Sequence, residues 1–390
     1  MKTVLEIYSE KELEENLAEI DSLLEAGADR EQIYERVPLE GIDELIEIAR
    51  ARVRGLEKHP YADRLIFNLS DLRWATPKVV ADWRAARVAC PVIADIGCGV
   101  GFQSFAFAER CKKVIAIELD PRKLAYAREN AARLGLTNIE FVQGDALSDA
   151  IVEKLKRAAI DVAFCDPERL PEESVRRPES MRPDPRLLIE RYSKITQKLV
   201  MEYPPQAREI PFDAEREYVS LNGELNRLTL YFGPLKRCSR SVVVLPAQAY
   251  LCSANAIEAR PIERISAPMT YLYELDEAVA WAALAPELLS ALRDAHLYEC
   301  DEHNCFLTSQ KLLASPFFKA RYVVRAVCAN EFDAIVGALN THKAGSVVLR
   351  MTVPPESYWT ERKRYEAKLK GKKELHLFVF DKAVIAEKLS

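Results

Sequence analysis

The sequence predicts an α/β protein: a mostly parallel sheet with helices on both faces, a helical segment ahead of it and a smaller α/β unit behind it. Three observations carry this. Residues 1 to about 88 hold apolar side chains at helical spacing. Residues 89 to about 250 alternate short apolar runs with amphipathic segments, the pattern of strands joined by crossover helices. Residues 260 to 390 carry a separate β-α-β-α-β order.

In the leader, Leu13, Leu17, Ile20 and Leu24 follow one helix face until Gly27. Further helices are expected over 30–37, ending at Pro38, over 42–53, and from Thr76-Pro77 onward, where threonine caps and proline fits the first turn. The expected strands are 92–96, 114–117, 139–142, 160–165, 198–202, 216–221, 227–232 and 241–245, with helices over 102–110, 122–134, 148–156 and 185–195. Asn222-Gly223 between two strand-like runs signals a hairpin. In the last unit, helical pattern over 277–293 is interrupted by Pro286. Strand, helix, strand, basic helix and strand are then expected over 320–328, 331–340, 346–352, 358–370 and 375–380. The corresponding domains are 1–88, 89–258 and 259–390.

Fifty-five Lys and Arg against sixty Asp and Glu give a net charge of -5, so no global basic field announces a nucleic acid, although a local basic face is compatible with that balance. The N-terminus lacks the apolar core of a signal peptide, and no run approaches the roughly 20 apolar residues of a membrane span. A soluble cytoplasmic protein is expected, with a monomer favoured. Nine scattered cysteines argue against a disulfide framework and read mostly as small buried hydrophobes. Cys300, His303 and Cys305 have the chemistry of zinc ligands, but their spacing is not that of a short knuckle, and an ordinary loop is preferred to a metal site.

The chemistry concentrates at Asp95-Ile-Gly97-Cys98-Gly99-Val-Gly101, a glycine turn between a strand and a helix that begins at Phe102. Glu118 ends the next strand, about twenty residues on, where a carboxylate suits a ribose with both hydroxyls free. Gly144-Asp145-Ala146 follows the third strand, and Cys165-Asp166-Pro167-Glu168-Arg169 ends the fourth. This order resembles the class I S-adenosylmethionine-dependent methyltransferases, which implies a Rossmann-like fold and that cofactor. The third glycine comes one residue sooner than in the dinucleotide pattern GxGxxG. The expected cofactor set is Asp95, Gly97, Cys98, Gly99, Gly101, Phe102, Glu118, Leu119, Asp145 and Ala146. Glu118 would accept from the ribose hydroxyls, Leu119 would pack on the base, Asp145 would face the adenine amino group beside Ala146, and Asp95 would hold the methionine end through water or its ammonium.

Asp166, Pro167 and Arg169 are the expected catalytic turn. They correspond in position to the Asp/Asn-Pro-Pro-aromatic turn of amino-group methyltransferases, but Glu168 and Arg169 replace the second proline and the aromatic residue. No cysteine pair supports a covalent pyrimidine mechanism. Arg73-Trp-Ala-Thr76, the DIGCGVGFQSFAFA and CDPERL segments, Val219-Ser-Leu-Asn-Gly-Glu, Tyr271-Leu-Tyr-Glu and Ser315-Pro-Phe-Phe together resemble bacterial and archaeal class I methyltransferases with a THUMP-like C-terminal domain. That resemblance covers roughly residues 60 to 390. It implies an Asp-Pro-small-Arg turn, which Asp166, Pro167 and Arg169 match, and RNA as the partner, tRNA first. Arg176 and Arg177 beyond the turn, Tyr203 after the fifth strand, and Arg362, Lys363 and Arg364 in the basic helix are the expected substrate contacts, with Trp359 or Tyr365 available to stack. The leading expectation is an RNA methyltransferase acting on a base of tRNA or rRNA. A small-molecule or protein methyltransferase, and a noncatalytic RNA-binding or assembly factor, stay open beside it.

Overall fold

The computed structural model describes residues 2–169, 180–207, 209–253, 264–301, 304–351, 353–354 and 356–389. The chain divides into two compact units, residues 1–215 with 228–237, and residues 216–227 with 238–390.

The first unit opens with helices α1 (Val4–Ile7), α2 (Glu10–Glu25), α3 (Arg30–Arg36), α4 (Ile42–Gly55), α5 (Leu69–Trp74) and α6 (Lys78–Arg87). Ser9 with Glu12, Asp29 with Gln32 and Asn68 with Asp71 form capping boxes that fix the starts of α2, α3 and α5. Leu13, Leu17 and Ile20 are the buried stripe of α2, and they share a core with Leu45, Ile46 and Ile48 of α4. The chain then alternates: β1 (Val92–Ile96), α7 (Phe102–Ala108), β2 (Lys113–Glu118), α8 (Pro121–Arg133), β3 (Ile139–Gln143), α9 (Asp149–Arg157), β4 (Val162–Cys165), the two-residue strands β5 (Glu168–Arg169) and β6 (Met181–Arg182), α10 (Pro185–Tyr192) and β7 (Leu199–Tyr203).

Strands β8 (Glu215–Leu221) and β9 (Glu224–Tyr231) form the expected hairpin, with Asn222 and Gly223 both at positive φ. Residues 228–231 of β9 count with the first unit. Its sheet order is β9-β7-β4-β1-β2-β3, parallel except where β9 meets β7. The central strands are apolar along nearly their whole length because helices cover both faces. The leader is joined to this sheet's helices. Asn130 of α8 pairs with both backbone groups of Ile66, at 2.6 and 2.9 Å. Arg122 forks onto Asp71 at 2.8 and 2.9 Å.

The second unit places β10 (Arg240–Leu245) and β11 (Ala249–Cys252) beside β8. It continues with β12 (Tyr271–Leu275), α11 (Glu277–Trp281), α12 (Ala285–Ala291), β13 (His296–Cys300), β14 (Cys305–Ser309), β15 (Phe318–Cys328), α13 (Phe332–Thr341), β16 (Ala344–Arg350), α14 (Tyr358–Glu366), β17 (Lys373–Val379) and β18 (Ala383–Lys388). The order β13-β14-β12-β15-β18-β17-β16 makes a seven-stranded sheet in which β16–β17 pair in parallel and the other pairings are antiparallel. The expected β-α-β-α-β order corresponds to β15 through β17. Four more strands extend it: β12, β13, β14 and β18. They are short and carry Glu, His or Cys among their apolar residues, which breaks a clean strand pattern.

Candidate active site

The site forms where the winding of the first sheet reverses. β1 pairs with β2 on one side and β4 on the other, with Asp95 opposite Phe164 and Ile96 opposite Cys165. Ligands of open α/β sheets bind at the carboxyl edge of such a reversal. The glycine turn and the Asp166 turn both leave that edge. A Cβ on Gly97 would lie 3.6 Å from the Asp166 carbonyl oxygen, so the two backbones face each other closely. The amides of Gly97 and Cys98 donate to the Ile117 carbonyl at 2.8 and 3.0 Å, which folds the turn back over β2. Gly101 stands at the start of α7 with φ +100°, and a Cβ there would meet the Phe105 ring at 2.4 Å. Only glycine fits that position.

Glu118 is 9% exposed and is fixed by three backbone donors: Gly99 at 2.8 Å on one oxygen, Leu119 and Asp120 at 2.9 Å each on the other. A carboxylate offers about four lone-pair sites, so capacity for a ribose hydroxyl remains. Leu119 beside it is 66% exposed. Gly144 donates to the Glu118 carbonyl at 3.1 Å, which brings the third strand's end alongside. There Asp145 is exposed and accepts from the Leu147 amide at 2.9 Å, and the Ala146 carbonyl accepts from the Tyr192 hydroxyl at 2.9 Å. A fixed acidic acceptor, a bare leucine and a second acid thus line one edge, a set of acceptors and apolar surface that fits a ribosyl-adenine.

Asp95 lies deeper, 1% exposed, with the Ser104 hydroxyl donating to it. Burial pushes its carboxyl up to about 7; the charges of Asp166 and Glu118 add to this, while the Ser104 bond and Arg84 oppose it. A buried carboxyl short of positive partners suits an ammonium. Asp166 is half-buried and Pro167 buried at the mouth of β4. Glu168 reaches Lys123 at 3.7 Å, and the backbone of Arg169 pairs with Met181. Tyr203 ends β7, the strand next to β4; its ring is 2% exposed and meets Phe212 edge-on at 5.9 Å.

Several expected site residues face elsewhere. The Cys98 thiol packs with Ala116, Leu124 and Ala127, and burial raises it, so only its backbone borders the turn. The Phe102 ring is turned into the leader, 5.4 Å from the rings of Phe67 and His59, which leaves its amide as the part on the cleft side. Tyr365 is buried against Phe332 and is not a stacking platform, whereas Trp359 is 63% exposed. Arg362, Lys363 and Arg364 lie on α14 of the second unit, whereas the cleft residues belong to the first. Arg362 is engaged by Glu366 at 2.9 Å and Glu374 at 3.7 Å, and Arg364 by Glu361 at 3.4 Å; Lys363 is exposed. Arg176, Arg177 and His303 fall outside the described residues. Cys300 and Cys305 oppose each other across the β13–β14 pair and form a disulfide. This departs from the expectation of free thiols, and pairing register rather than sequence spacing accounts for it. No group of three potential metal ligands occurs among the described residues.

The sequence reading missed the floor of the cleft. Arg84 of α6 and Glu202 of β7 form an ion pair, 1% and 2% exposed. Gln103 of α7 also accepts from Arg84, Thr229 donates to Glu202 at 2.6 Å, and the Arg84 guanidinium stands 4.8 Å over the Phe164 ring. A glutamate at the end of the apolar run Leu199-Val-Met-Glu202 is the signal that marks this cluster in the sequence.

Fold and cleft together define an S-adenosylmethionine-dependent methyltransferase domain. Residues 89–237 match the family model described as a methyltransferase domain. Among solved structures, one from Porphyromonas gingivalis W83, of a protein inferred to be a methyltransferase, shares the fold with a TM-score of 0.75 at 15% identity, covering 98% of this chain and 100% of that one. An uncharacterized protein of Methanocaldococcus jannaschii is 44% identical over 63 residues, 16% of this chain and 24% of that protein. The 23S rRNA (uracil(1939)-C(5))-methyltransferase of Stenotrophomonas maltophilia is 35% identical over 77 residues, 20% of this chain and 17% of that enzyme. The human tRNA (uracil-5-)-methyltransferase homolog A is 38% identical over 93 residues, 23% of this chain and 15% of its own. The chain spans less than a quarter of the length of these curated relatives. No helix among the described residues is long and apolar enough to cross a membrane.

Proposed function

We propose that this chain is an S-adenosylmethionine-dependent RNA methyltransferase acting on a base of tRNA or rRNA, tRNA first. The observation that carries the reading is the close approach of the Asp166 backbone to Gly97, which sets a polar turn against the turn that holds the cofactor. The RNA methyltransferases among the curated relatives support the choice of acceptor. The cofactor supplies an electrophilic methyl group. The protein's part is to aim an acceptor lone pair at that methyl, and positioning of this kind supplies much of the rate. Asp166 orients the acceptor or takes its proton, Pro167 stiffens the turn, and Arg169 contacts phosphate or base.

The uracil chemistry named for the relatives does not transfer with the domain. The cysteines nearest the cleft are Cys98 and Cys165; both are buried and burial holds both thiols well above their ordinary range, so neither supplies a thiolate nucleophile. In the same reading residues 259–390 are a THUMP-like RNA-binding domain following a leader (1–88) and the methyltransferase domain (89–258), and the enzyme is monomeric and cytoplasmic.

The test is transfer of labelled methyl groups to RNA from a strain lacking the gene, followed by nucleoside mass analysis. A single modified nucleoside is expected, and Asp166→Ala should lower turnover by about 100-fold or more while cofactor affinity holds. Wild-type turnover in that variant removes Asp166 from the reaction. Transfer to protein or small molecules, with none to RNA, overturns the acceptor.

A further inference from the structure

At the edge of the sheet opposite the cleft, two thiols lie together. The Cys90 and Cys111 sulfurs are 4.0 Å apart, and Cys90 also reaches the Val92 carbonyl at 3.6 Å. The backbone explains the meeting. Val92 pairs with Lys113 at the start of the parallel β1–β2 ladder, and the Lys113 amide donates to the Pro91 carbonyl at 3.0 Å. Continuing that register two residues backward sets Cys90 opposite Cys111. Neighbouring strands stand about 4.8 Å apart, and disulfides bridge Cα atoms about 4.4–6.8 Å apart. The sulfurs need to close by roughly 2 Å to reach bonding distance, a movement within the reach of side-chain rotation. Cys111 is buried, while Cys90 is half-buried and open to a small reactant.

We propose that Cys90 and Cys111 are a redox modification site that closes to a reversible disulfide by exchange with a low-molecular-weight disulfide such as oxidised glutathione. Cys90 attacks one sulfur of the reagent; the reagent's S–S bond breaks, and one glutathione leaves with the proton that Cys90 gives up. Cys111 then attacks the Cys90 sulfur of the mixed disulfide, a second glutathione leaves with the Cys111 proton, and the protein S–S bond is complete. Two protein thiols are oxidised by two electrons, and one glutathione disulfide is reduced to two thiols. Either thiol of the contacting pair can donate to the other, so a thiolate formed at one sulfur is stabilised by the second; in the resting pair this contact lowers Cys111 and raises Cys90.

The position of this bridge gives it a consequence. It would close the loop from residue 90 to residue 111, which contains all of β1, the glycine turn and α7. Asp95, Gly97, Gly99, Gly101 and Ser104 all lie inside it. Oxidation would therefore staple the segment that holds the cofactor, from the side away from the cofactor, and narrow the unfolded ensemble of that segment.

The experiment equilibrates the full-length protein in a series of glutathione buffers spanning reducing to oxidising poise, traps free thiols with N-ethylmaleimide, and maps peptides by mass spectrometry. The expected product joins the peptides carrying Cys90 and Cys111, is reversed by dithiothreitol, and is absent in Cys90→Ser and Cys111→Ser. The Cys300–Cys305 peptide serves as the internal standard for disulfide detection. The oxidised wild-type protein should also melt a few degrees higher than the reduced form, a difference that the serine variants lose. Recovery of both cysteines alkylated at the most oxidising potential overturns the site, as does glutathione persisting on Cys90 without closure. A bridge that forms with no change in Tm overturns the stapling role.

Discussion

With Asp95 at the methionine end, as proposed, affinity for the methyl donor should depend on pH in a calculable way. Its carboxyl is held at about 7, against an ordinary value near 3.8, chiefly by burial. Between those values the folded, ligand-free protein keeps a proton on Asp95 that the unfolded chain has lost. Stability of the free protein therefore falls as pH rises from about 4 to about 7, in proportion to that difference in bound protons. A ligand ammonium set against Asp95 favours the carboxylate and draws the proton off. At pH 6 about 0.9 of Asp95 is protonated when its carboxyl titrates at about 7, so cofactor binding should release about 0.9 proton there. Affinity should rise about tenfold from pH 5 to 6 and flatten past pH 7; above about pH 8 it should fall again as the free ligand's α-amino group, ordinarily near 8, loses its proton. Calorimetry in two buffers of different ionisation enthalpy measures the proton release directly. Asp95→Asn keeps an oxygen for the Ser104 hydroxyl and cannot titrate, so its affinity should be weaker and flat from about pH 5 to 7. Binding that releases no proton at pH 6, or the same slope in Asp95→Asn, would falsify the assignment of Asp95 to the methionine end.

Three further outcomes follow from the same geometry. Leu119→Ala should leave stability within about 0.5 kcal/mol, because the side chain is 66% exposed. It should weaken cofactor binding about 5- to 30-fold, the loss expected when ~1–2 kcal/mol of apolar burial on the base disappears; unchanged affinity by calorimetry places the base elsewhere. Gly101→Ala should destabilise the protein by ~1–3 kcal/mol, since φ +100° and the Phe105 ring both oppose a Cβ, and a melting curve matching wild type refutes that reading. Arg84→Met alone should cost ~3–5 kcal/mol in urea unfolding by leaving Glu202 buried without its cation, whereas Arg84→Met with Glu202→Leu should recover most of it; equal losses in the single and double variants would show that the packing over Phe164 matters and the charge does not.

What the sequence disclosed of this site is what the backbone demands of residue type. Gly101 must be glycine, Glu118 must end a strand beside the turn, and Asn222-Gly223 must turn a hairpin; each is a local constraint and each is legible locally. Partners that meet only after folding were not. Arg362, Lys363 and Arg364 read as one basic face, but Glu374 arrives from another strand and Glu361 and Glu366 from the same helix, so two of the three arginine and lysine charges are already engaged. Phe102 follows the glycine turn and so reads as a cofactor residue, yet the leader supplies Phe67 and His59 to bury its ring.

Arg84 gives the general form of the difficulty. In sequence it is one charge on an amphipathic helix, where arginine belongs on the solvent face. Folded, it is the link through which the leader reaches the cleft, touching Gln103 on the helix after the glycine turn and Glu202 on the strand beside Asp166. It also lies close enough to Asp95 to oppose the upward push on that carboxyl. The leader therefore contributes to the cleft through a buried charge, and its helices cannot be exchanged for any others that merely cover the same apolar face. A leader carrying a hydrophobic residue at position 84, with Glu202 made apolar to match, would pack as well, but would hold Asp95 protonated to a higher pH and shift the whole affinity profile with it.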